Sequence, residues 1–403
     1  MKHSFRIMIG MLLIAVPLCL NAQIKPTKPN NNDGDKPKAE IKIEKTTSPE
    51  VKPEAPAKPD KPAPKGGFEM PKISGFVQTF YTANMDEDGA LQDNEFKIRR
   101  ARLSIDGKFG EKFSYKLQGD FTGTPALVDA YLKYKFCDAF ALQAGQFKTP
   151  FTLESPINPV NLEIYDYGES ISKLVGYKDV CGVGKLGRDL GIMATGDLIP
   201  LKDKGFSVIN YAIGVFNGNG ANALDNNNRK DIVGRLNVHP GLKDLTLSGS
   251  YYYGKYSTDV VDRGSRNRWT AGAQYNDGNL IVRAEYLSGS TGRNTVVDST
   301  NVIISEDLFN SNGYYAVAGY NFKLGKNKSQ QLMPVFRYEH FTKDVSIEKS
   351  GTTFYTVGLS YWPIKYVNLK VNYQLIENYQ KTTDDTFDKV FANRVVAAVN
   401  FKF

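Results

Sequence analysis

The residue pattern that most constrains this chain is the alternation of apolar and polar side chains in EKFSYKLQGDF, residues 111–121. In an extended chain, Phe113, Tyr115 and Leu117 lie on one face and Lys116 lies on the other. The apolar face of such a strand packs on a second sheet in a soluble sandwich, or meets lipid in an outer-membrane barrel. The body of the chain has no apolar run near the roughly 20 residues of a spanning helix. Any spanning structure must therefore be a closed barrel.

The first 22 residues are predicted to be a secretory signal peptide. They begin with the basic residues Lys2 and Arg6, continue with an apolar run over residues 7–20, and end in small residues up to Ala22. The apolar run is short for a transmembrane helix, so we expect the mature chain to leave the cytoplasm.

The composition changes over residues 23–67, which are rich in Lys, Pro, Glu, Ala and Asp and contain no aromatic residue. Such a segment has too little apolar surface to offset the entropy of ordering it, so it is predicted to be a disordered periplasmic tether. A passive linker is favoured by this composition, and a spacer that reaches peptidoglycan is the alternative.

The formal charge of +8 is spread over the whole chain. The signal peptide contributes +2, the tether about +3 and residues 68–403 about +3. A balance this small in the body does not indicate a nucleic-acid-binding protein.

Alternation bounded by turn residues predicts sixteen strands within residues 68–403, and no convincing amphipathic helix between them. The connections alternate in length, from tight turns such as Gly110–Glu111 to long polar loops such as Asn217–Lys230. This asymmetry is typical of bacterial outer-membrane barrels, with short periplasmic turns and long extracellular loops. The sequence therefore predicts an all-β protein, a 16-stranded antiparallel transmembrane β-barrel. The predicted strands are Lys72–Ala83, Phe96–Phe109, Lys112–Phe121, Leu127–Phe136, Ala139–Phe147, Asp189–Leu198, Phe206–Phe216, Asp231–His239, Leu245–Tyr256, Arg268–Tyr275, Leu280–Leu287, Tyr314–Lys323, Leu332–Phe341, Phe354–Trp362, Val367–Ile376 and Ala392–Phe403.

The last strand, ANRVVAAVNFKF, alternates apolar and polar residues and ends on Phe401 and Phe403. A final Phe resembles the C-terminal signature of proteins inserted by the barrel-assembly machinery. Pairing of this strand with the first would remove both sheet edges, so we expect closure.

Three motifs in a fixed order resemble the phosphate-selective porin O and P family. They are FKIRRARLSIDGKFGEKFSYKLQGDF (residues 96–121), LVDAYLKY (127–134) and LQAGQFKTPFTLE (142–154). The resemblance implies a trimeric outer-membrane porin of Gram-negative bacteria through which small, phosphate-like anions diffuse.

Selectivity in that family is attributed to arginines and lysines that line the channel. The matching positions here are Arg99, Arg100, Arg102 and Lys148. The implied partners are outer-membrane lipid and lipopolysaccharide, the barrel-assembly machinery, small anionic solutes and two further copies of the chain.

Orienting each strand by its apolar face predicts twelve lumen-facing cations against five lumen-facing carboxylates. This excess would concentrate anions in a narrow channel. The alternative is that the arginines pair with neighbouring acids and only keep the wall wet. The predicted acids are Asp106, Asp120, Asp129, Glu285 and Glu339. The predicted pore-lining cations are Arg100, Arg102, Lys108, Lys116, Lys133, Lys135, Arg235, Arg268, Arg283, Arg337, Lys370 and Arg394.

The longest loop, residues 148–188, follows the fifth predicted strand and is predicted to fold inward and narrow the channel. Its basic residues are balanced by acids, so its net charge gives no preference for either ion sign. The candidate constriction residues are Lys148, Lys173, Lys178, Lys185 and Arg188, against Glu154, Glu163, Asp166, Glu169 and Asp179.

The cysteines do not form a disulfide framework. Cys19 lies in the signal peptide, and lipidation there is disfavoured by the bulky Leu18 before it. Cys137 and Cys181 are predicted to lie toward opposite ends of the barrel and not to be joined.

The sequence does not indicate an enzyme. His239 and His340 are the mature chain's histidines, and neither accompanies a G-x-S-x-G elbow or a metal cluster. The run GVGKLG, residues 182–187, lacks the spacing of a phosphate-binding loop. We therefore expect no catalytic residue, cofactor or metal. A non-selective porin, an adhesin or surface antigen, and a soluble β-sandwich are the alternatives.

Overall fold

The computed structural model describes residues 69–123, 126–180, 186–255, 266–297, 303–325, 327–384 and 386–403. The predicted signal peptide and the whole of the predicted tether lie outside these residues.

The described residues form one antiparallel sheet of seventeen strand segments that closes on itself. The segments β12 and β13 flank Asn321, and both pair with β14, so together they are one strand of the barrel. The predicted closed 16-stranded antiparallel barrel is confirmed. The segments are β1 (Lys72–Met85), β2 (Leu91–Phe109), β3 (Phe113–Asp120), β4 (Ala126–Cys137), β5 (Phe140–Lys148), β6 (Arg188–Leu201), β7 (Phe206–Phe216), β8 (Asp231–Val238), β9 (Leu245–Tyr253), β10 (Arg268–Asn276), β11 (Leu280–Val297), β12 (Ile303–Tyr320), β13 (Phe322–Leu324), β14 (Gln330–Thr342), β15 (Gly351–Ile364), β16 (Val367–Lys381) and β17 (Phe387–Lys402).

The barrel closes where the last strand pairs with the first. The register between β1 and β17 runs from Phe76 opposite Lys402 to Met85 opposite Asn393. Beyond it, Gly75 and Phe403 exchange both backbone hydrogen bonds, at 3.0 and 3.1 Å. Closure leaves no unpaired sheet edge in the membrane, where unsatisfied backbone groups are costly.

The two faces of the strands differ as the alternation predicts. Leu117, Val357 and Val371 are 46%, 51% and 56% exposed on the outside of the barrel. Gln118 and Thr356, their neighbours in sequence, are buried on the inside. The outer surface is therefore apolar where it meets lipid, and the inner surface is polar.

Several strands run further at the extracellular end than the sequence predicts. β2 begins at Leu91 rather than Phe96, and β11 and β12 occupy much of the predicted loop Ser288–Gly313. Above the hydrocarbon region a strand no longer has a lipid face, so its residues do not alternate and the pattern ends too early.

The alternation of apolar and polar residues is less regular in β1 and β7 than in the other strands, because apolar residues stand on both of their faces. The side chains of Phe76, Phe80 and Phe216 point inward and are almost completely buried. The ring of Phe80 packs edge-on against Tyr165 of the long loop, with ring centroids 5.8 Å apart. These strands carry aromatic residues on both faces because a folded segment covers their inner face.

The long loop contains a short helix and a single 3-10 turn that strand patterns did not predict. Helix α1 spans Glu169–Leu174 and the 3-10 turn spans Pro159–Asn161. Six residues are too few to show a helical period in the sequence. No helix in the described ranges is long and apolar enough to cross a membrane.

Cys137, at the end of β4, is disulfide-bonded. Cys19 and Cys181 both lie outside the described residues. The absence of a bond between Cys137 and Cys181 stays a prediction.

The lipid-facing assignment predicts the effect of a charge on the outer surface. Val357→Arg should destabilise the barrel in lipid vesicles by about 2–4 kcal/mol, because the guanidinium would enter hydrocarbon near mid-membrane. The same change at Glu111, exposed in a periplasmic turn, is the control and should change stability by less than about 1 kcal/mol. Urea unfolding monitored by tryptophan fluorescence measures both, and equal effects would contradict the orientation of β15.

Candidate functional site: the lumen and its inserted loop

The long connection between β5 and β6, residues 149–187, folds into the barrel and is called the lumen loop. Its residues 181–185 lie outside the described part of the chain. Phe151, Leu162, Ile171 and Leu174 of this loop are buried almost completely. They join a hydrophobic cluster with inward-facing residues of the wall. The loop therefore packs as a small core inside the lumen.

Glu154 is the electrostatic centre of the lumen loop. Its Oε2 accepts from Arg337 at 2.5 Å and from Arg283 at 3.3 Å. Arg283 also bonds Glu163 of the loop at 2.6 Å. The guanidinium of Arg337 stacks over the ring of Tyr315, 4.0 Å from its centroid. Two wall arginines and two loop carboxylates thus form one buried network, and such networks are stabilising only when their members are paired.

Three more arginines of the wall anchor other parts of the loop. Asp166 accepts from Arg100 at 2.7 Å and from Arg99 at 2.9 Å. Arg268 bonds Asp179 at 2.6 and 2.9 Å, and it also donates to the carbonyl of Leu174 at the end of α1. Asp166 and Asp179 each accept two charge-assisted hydrogen bonds, so the loop is held to the wall at its middle and near its end.

Backbone groups of the loop also bind the wall. Glu285 accepts the amide of Leu153 at 2.9 Å, and Glu339 accepts the amide of Ser170, in the first turn of α1, at 2.8 Å. Lys370 donates to the carbonyls of Leu162 and Ile164. Both acids predicted to face the lumen on β11 and β14 therefore bind the loop.

The loop leaves space along the wall formed by β2 to β6. A cavity of about 310 Å³ lies there, bounded on the loop side by Pro156, Asn158 and Pro159. Its wall carries both charges and hydrogen-bonding groups. The wall side is lined by Arg102, Lys116, Gln118, Asp129, Tyr131, Gln143, Phe147, Lys148 and Arg188.

Two further cavities lie toward the periplasmic end. One of about 300 Å³ is lined by Lys133, Lys135 and Arg235 together with Asp138 and Asp197. A neighbouring one of about 450 Å³ shares both aspartates. Polar, charged space thus follows the β2–β8 side of the lumen, while the loop occupies the other side.

Half of the predicted pore-lining cations contact the lumen loop. Each donates to a carboxylate or to a carbonyl of the loop, so none has its charged group free in open water. They are Arg100, Arg235, Arg268, Arg283, Arg337 and Lys370.

The other predicted pore-lining cations are bound to the wall or open to solvent. Three form ion pairs, Arg102 with Asp120 at 2.8 Å, Lys116 with Asp106 at 3.0 Å and Lys135 with Asp138 at 2.6 Å. Arg394 donates to the side chains of Asn84 and Gln374. Lys133 is half-buried in the cavity wall, and Lys108 is exposed.

The basic residues predicted for the constriction differ in their binding partners and in their exposure. Lys148 donates to the carbonyls of Ser155 and Ile157 at 2.6 and 3.0 Å, and Arg188 forms a two-bond pair with Asp129. Of the rest, Lys173 pairs with Glu169 within α1, Lys178 is exposed, and Lys185 lies outside the described residues.

Sequence reasoning missed the pairing of particular loop acids with particular wall arginines. The acids were recognised, but partners such as Glu154 and Arg337 are 183 residues apart. The signal that was present is the set of five carboxylates in the loop, opposite a wall with seven predicted inward-facing arginines.

The comparisons with known proteins agree with this architecture. The family model of phosphate-selective porin O and P matches residues 72–280, about half of the chain and the whole of the lumen loop. The chain belongs to the phosphate-selective porin O and P family. It is therefore an outer-membrane channel protein of the porin type. Among curated proteins no sequence matches this porin.

Solved porin structures share the fold at low sequence identity. An anion-selective porin from Comamonas acidovorans has a TM-score of 0.58 at 15% identity, covering 83% of this chain and 99% of that chain. The outer-membrane channel DcaP of Acinetobacter baumannii has a TM-score of 0.56 at 13% identity, and the match covers 84% of this chain and 98% of that chain. OmpT of Vibrio cholerae in its trimer form has a TM-score of 0.52 at 11% identity, and the match covers 83% of this chain and 100% of that chain.

Among the described residues, no three histidine, cysteine or acidic side chains are grouped to hold a metal ion. The lumen arrangement is therefore described by its own charges and hydrogen bonds.

Glu154→Gln should loosen the lumen loop. The change removes the carboxylate shared by Arg283 and Arg337, and breaking a buried ion pair of this kind costs about 3–5 kcal/mol. Glu169→Gln is the matched control, since its pair with Lys173 is partly exposed and contributes at most about 1 kcal/mol. Limited proteolysis should cut residues 149–187 faster in E154Q alone. Equal cutting in the two variants would show that Glu154 does not anchor the loop.

The contributions of Glu154 and Asp166 to the docking of the lumen loop should depend on pH only in acid. Burial raises the pKa of Glu154, but Arg337 and Arg283 more than offset this and hold it below its ordinary 4.5. For Asp166, burial is likewise outweighed by Arg100 and Arg99, so its pKa lies below 3.8.

Since both pKa values are lowered, these carboxylates stabilise docking fully above about pH 4.5 and lose this effect as the pH falls through the lower folded values. Open-channel current noise should rise as the pH falls below about pH 4. In E154Q this acid-dependent rise should be smaller. An acid-dependent rise of equal size in E154Q and in the unmodified porin would contradict the assignment.

Proposed function

We propose that this porin is a channel for passive diffusion of small hydrophilic solutes that prefers anions. The observation that carries the proposal is the row of cavities along the β2–β8 wall, whose lining holds more cations than carboxylates. In a narrow, low-dielectric passage such an excess concentrates anions and repels cations.

The paired cations do not supply this excess. Arg102, Lys116 and Arg188 each lie beside an aspartate, so their charges are largely cancelled. These pairs keep the wall polar and set the shape of the larger cavity.

The excess comes from cations whose partners are neutral. Lys148 is bound by carbonyl oxygens, and Arg235 donates to the carbonyl of Thr152 at 2.9 Å. Lys133 has no carboxylate within ion-pair distance in the described ranges, although Asp197 lies near enough to influence it. A carbonyl orients a cation without cancelling its charge. Lys133 and Arg235 therefore leave positive charge beside the cavities.

Phosphate-like anions are the proposed solutes, supported by the description of the family and by the Comamonas porin being anion-selective. The cavities hold several donors suited to oxyanions, among them Gln118, Tyr131 and Gln143.

The assembly and export of the chain are proposed from sequence and likeness. The trimer form of OmpT supports a homotrimer. Residues 1–22 are proposed to direct export, and residues 23–67 to form a periplasmic tether whose contact with peptidoglycan is untested. Phe401 and Phe403, exposed on the outer face of β17, are proposed as the insertion signal read by the barrel-assembly machinery.

The test is the reversal potential in planar bilayers under a potassium chloride gradient. The unmodified porin should be anion-selective, and Lys133→Gln with Arg235→Gln should move the reversal potential toward zero because two unbalanced charges are lost. The control is Lys133→Arg with Arg235→Lys, which keeps both charges and should keep the selectivity. Cation selectivity of the unmodified porin, or an unchanged potential in the Gln variant, would contradict the proposal.

A further inference from the structure

A basic and aromatic patch lies on the outer face of the barrel, at the extracellular end of β15–β17. Tyr379 of β16 and Lys389 of β17 are directly opposite each other, and Phe387 and Phe391 flank Lys389 on the same face. Lys349, just before β15, completes the group. These five residues are called the lysine–tyrosine patch.

Two ammonium groups lie close to one aromatic ring in this patch. The Nζ of Lys349 is 5.7 Å from the ring centroid of Tyr379 and 5.4 Å from that of Phe387. The Nζ of Lys389 is 5.9 Å from the centroid of Tyr379 and 6.0 Å from that of Phe391. Both ammonium groups therefore lie near the ring of Tyr379, and their separation cannot exceed the sum of their two distances to its centroid. Cation–π contacts with the rings stabilise both positions.

The patch is positively charged and accessible. Lys389 forms an ion pair with Glu377 at 2.8 Å, but its side chain is still 46% exposed. Lys349 is also exposed. Within the part of the chain that the structure describes, Glu377 is the one carboxylate within ion-pair distance of these two lysines, so the ammonium group of Lys349 keeps its charge on the outer face.

The surface below the patch is apolar. Val357, Val371, Tyr373 and Val399 are exposed on the outer faces of the same three strands. A band of this kind meets the acyl chains of lipid, and aromatic residues are enriched where it ends at the headgroups. The lysine–tyrosine patch therefore lies at the height of the outer-leaflet headgroups.

We propose that the lysine–tyrosine patch binds the phosphate groups of a phosphorylated lipid of the outer leaflet, with its acyl chains lying along the apolar band. Lysine ammonium groups form charge-assisted bonds with phosphate, and two of them near one ring can bind the phosphate groups of the same lipid. The rings of Tyr379, Phe387 and Phe391 contact the apolar part of the same molecule.

The position of the patch selects a lipid rather than a free anion. A solute that crosses the porin travels inside the barrel, whereas this patch is continuous with the lipid-facing surface. The inference is independent of ion selectivity, because it concerns the opposite face of the wall.

The experiment is native mass spectrometry of the full-length mature porin in detergent, titrated with bis-phosphorylated lipid A and, separately, with the dephosphorylated form. The unmodified porin should retain the phosphorylated form at least tenfold better. Lys349→Gln with Lys389→Gln should abolish this preference. Lys349→Arg with Lys389→Arg should retain it.

Lys202→Gln with Lys204→Gln is the matched control, since it removes two exposed lysines at the opposite end of the barrel. This variant should bind as the unmodified porin does. Equal retention of both lipids, displacement of the phosphorylated lipid by millimolar inorganic phosphate, or a change of oligomeric state without loss of lipid in the Gln variant would overturn the proposal. The last outcome would assign the patch to a contact between copies.

Discussion

The structure depends on the requirement that every backbone polar group be satisfied within the hydrocarbon layer. An isolated strand cannot meet this requirement, and a sheet meets it only when its last strand pairs with its first. The pairing of β1 with β17 meets it here, from Phe76 opposite Lys402 upward. The alternation of apolar and polar side chains then follows, since each strand must present one face to lipid and the other to the lumen. The groups that meet the diffusing solute are confined to that inner face.

A second constraint shapes the lumen, because the lumen loop fills the side opposite the cavities. The lumen loop carries an apolar core, and its carboxylates neutralise arginines that would otherwise be buried without partners. Removing Arg337 or Glu154 from this arrangement would leave an uncompensated charge, so the loop and wall form one unit. The charge left for solutes comes from the cations that the loop binds through carbonyls, such as Arg235, and from Lys133.

The sequence predicted the barrel closely, because lipid imposes a period of two that can be counted along the chain. All sixteen strands were found, and errors occurred where lipid is absent, as at the extracellular ends of β2 and β11. The inner site was harder to predict. Arg283 and Lys116 have the same appearance in the sequence, yet one anchors the loop and the other lines a cavity. Only the path of the loop separates them, and that path depends on contacts between residues far apart in the chain, such as Glu154 with Arg337.

The central claim is that adjacent residues of one strand face two different solvents. Spin labels placed singly at Leu117 and Lys116 in reconstituted bilayers test it, with relaxation by oxygen and by a water-soluble nickel chelate as the readouts. The account predicts that the label at 117 is relaxed mainly by oxygen from lipid and the label at 116 mainly by the chelate from the lumen. The same response at both positions would contradict the barrel described here.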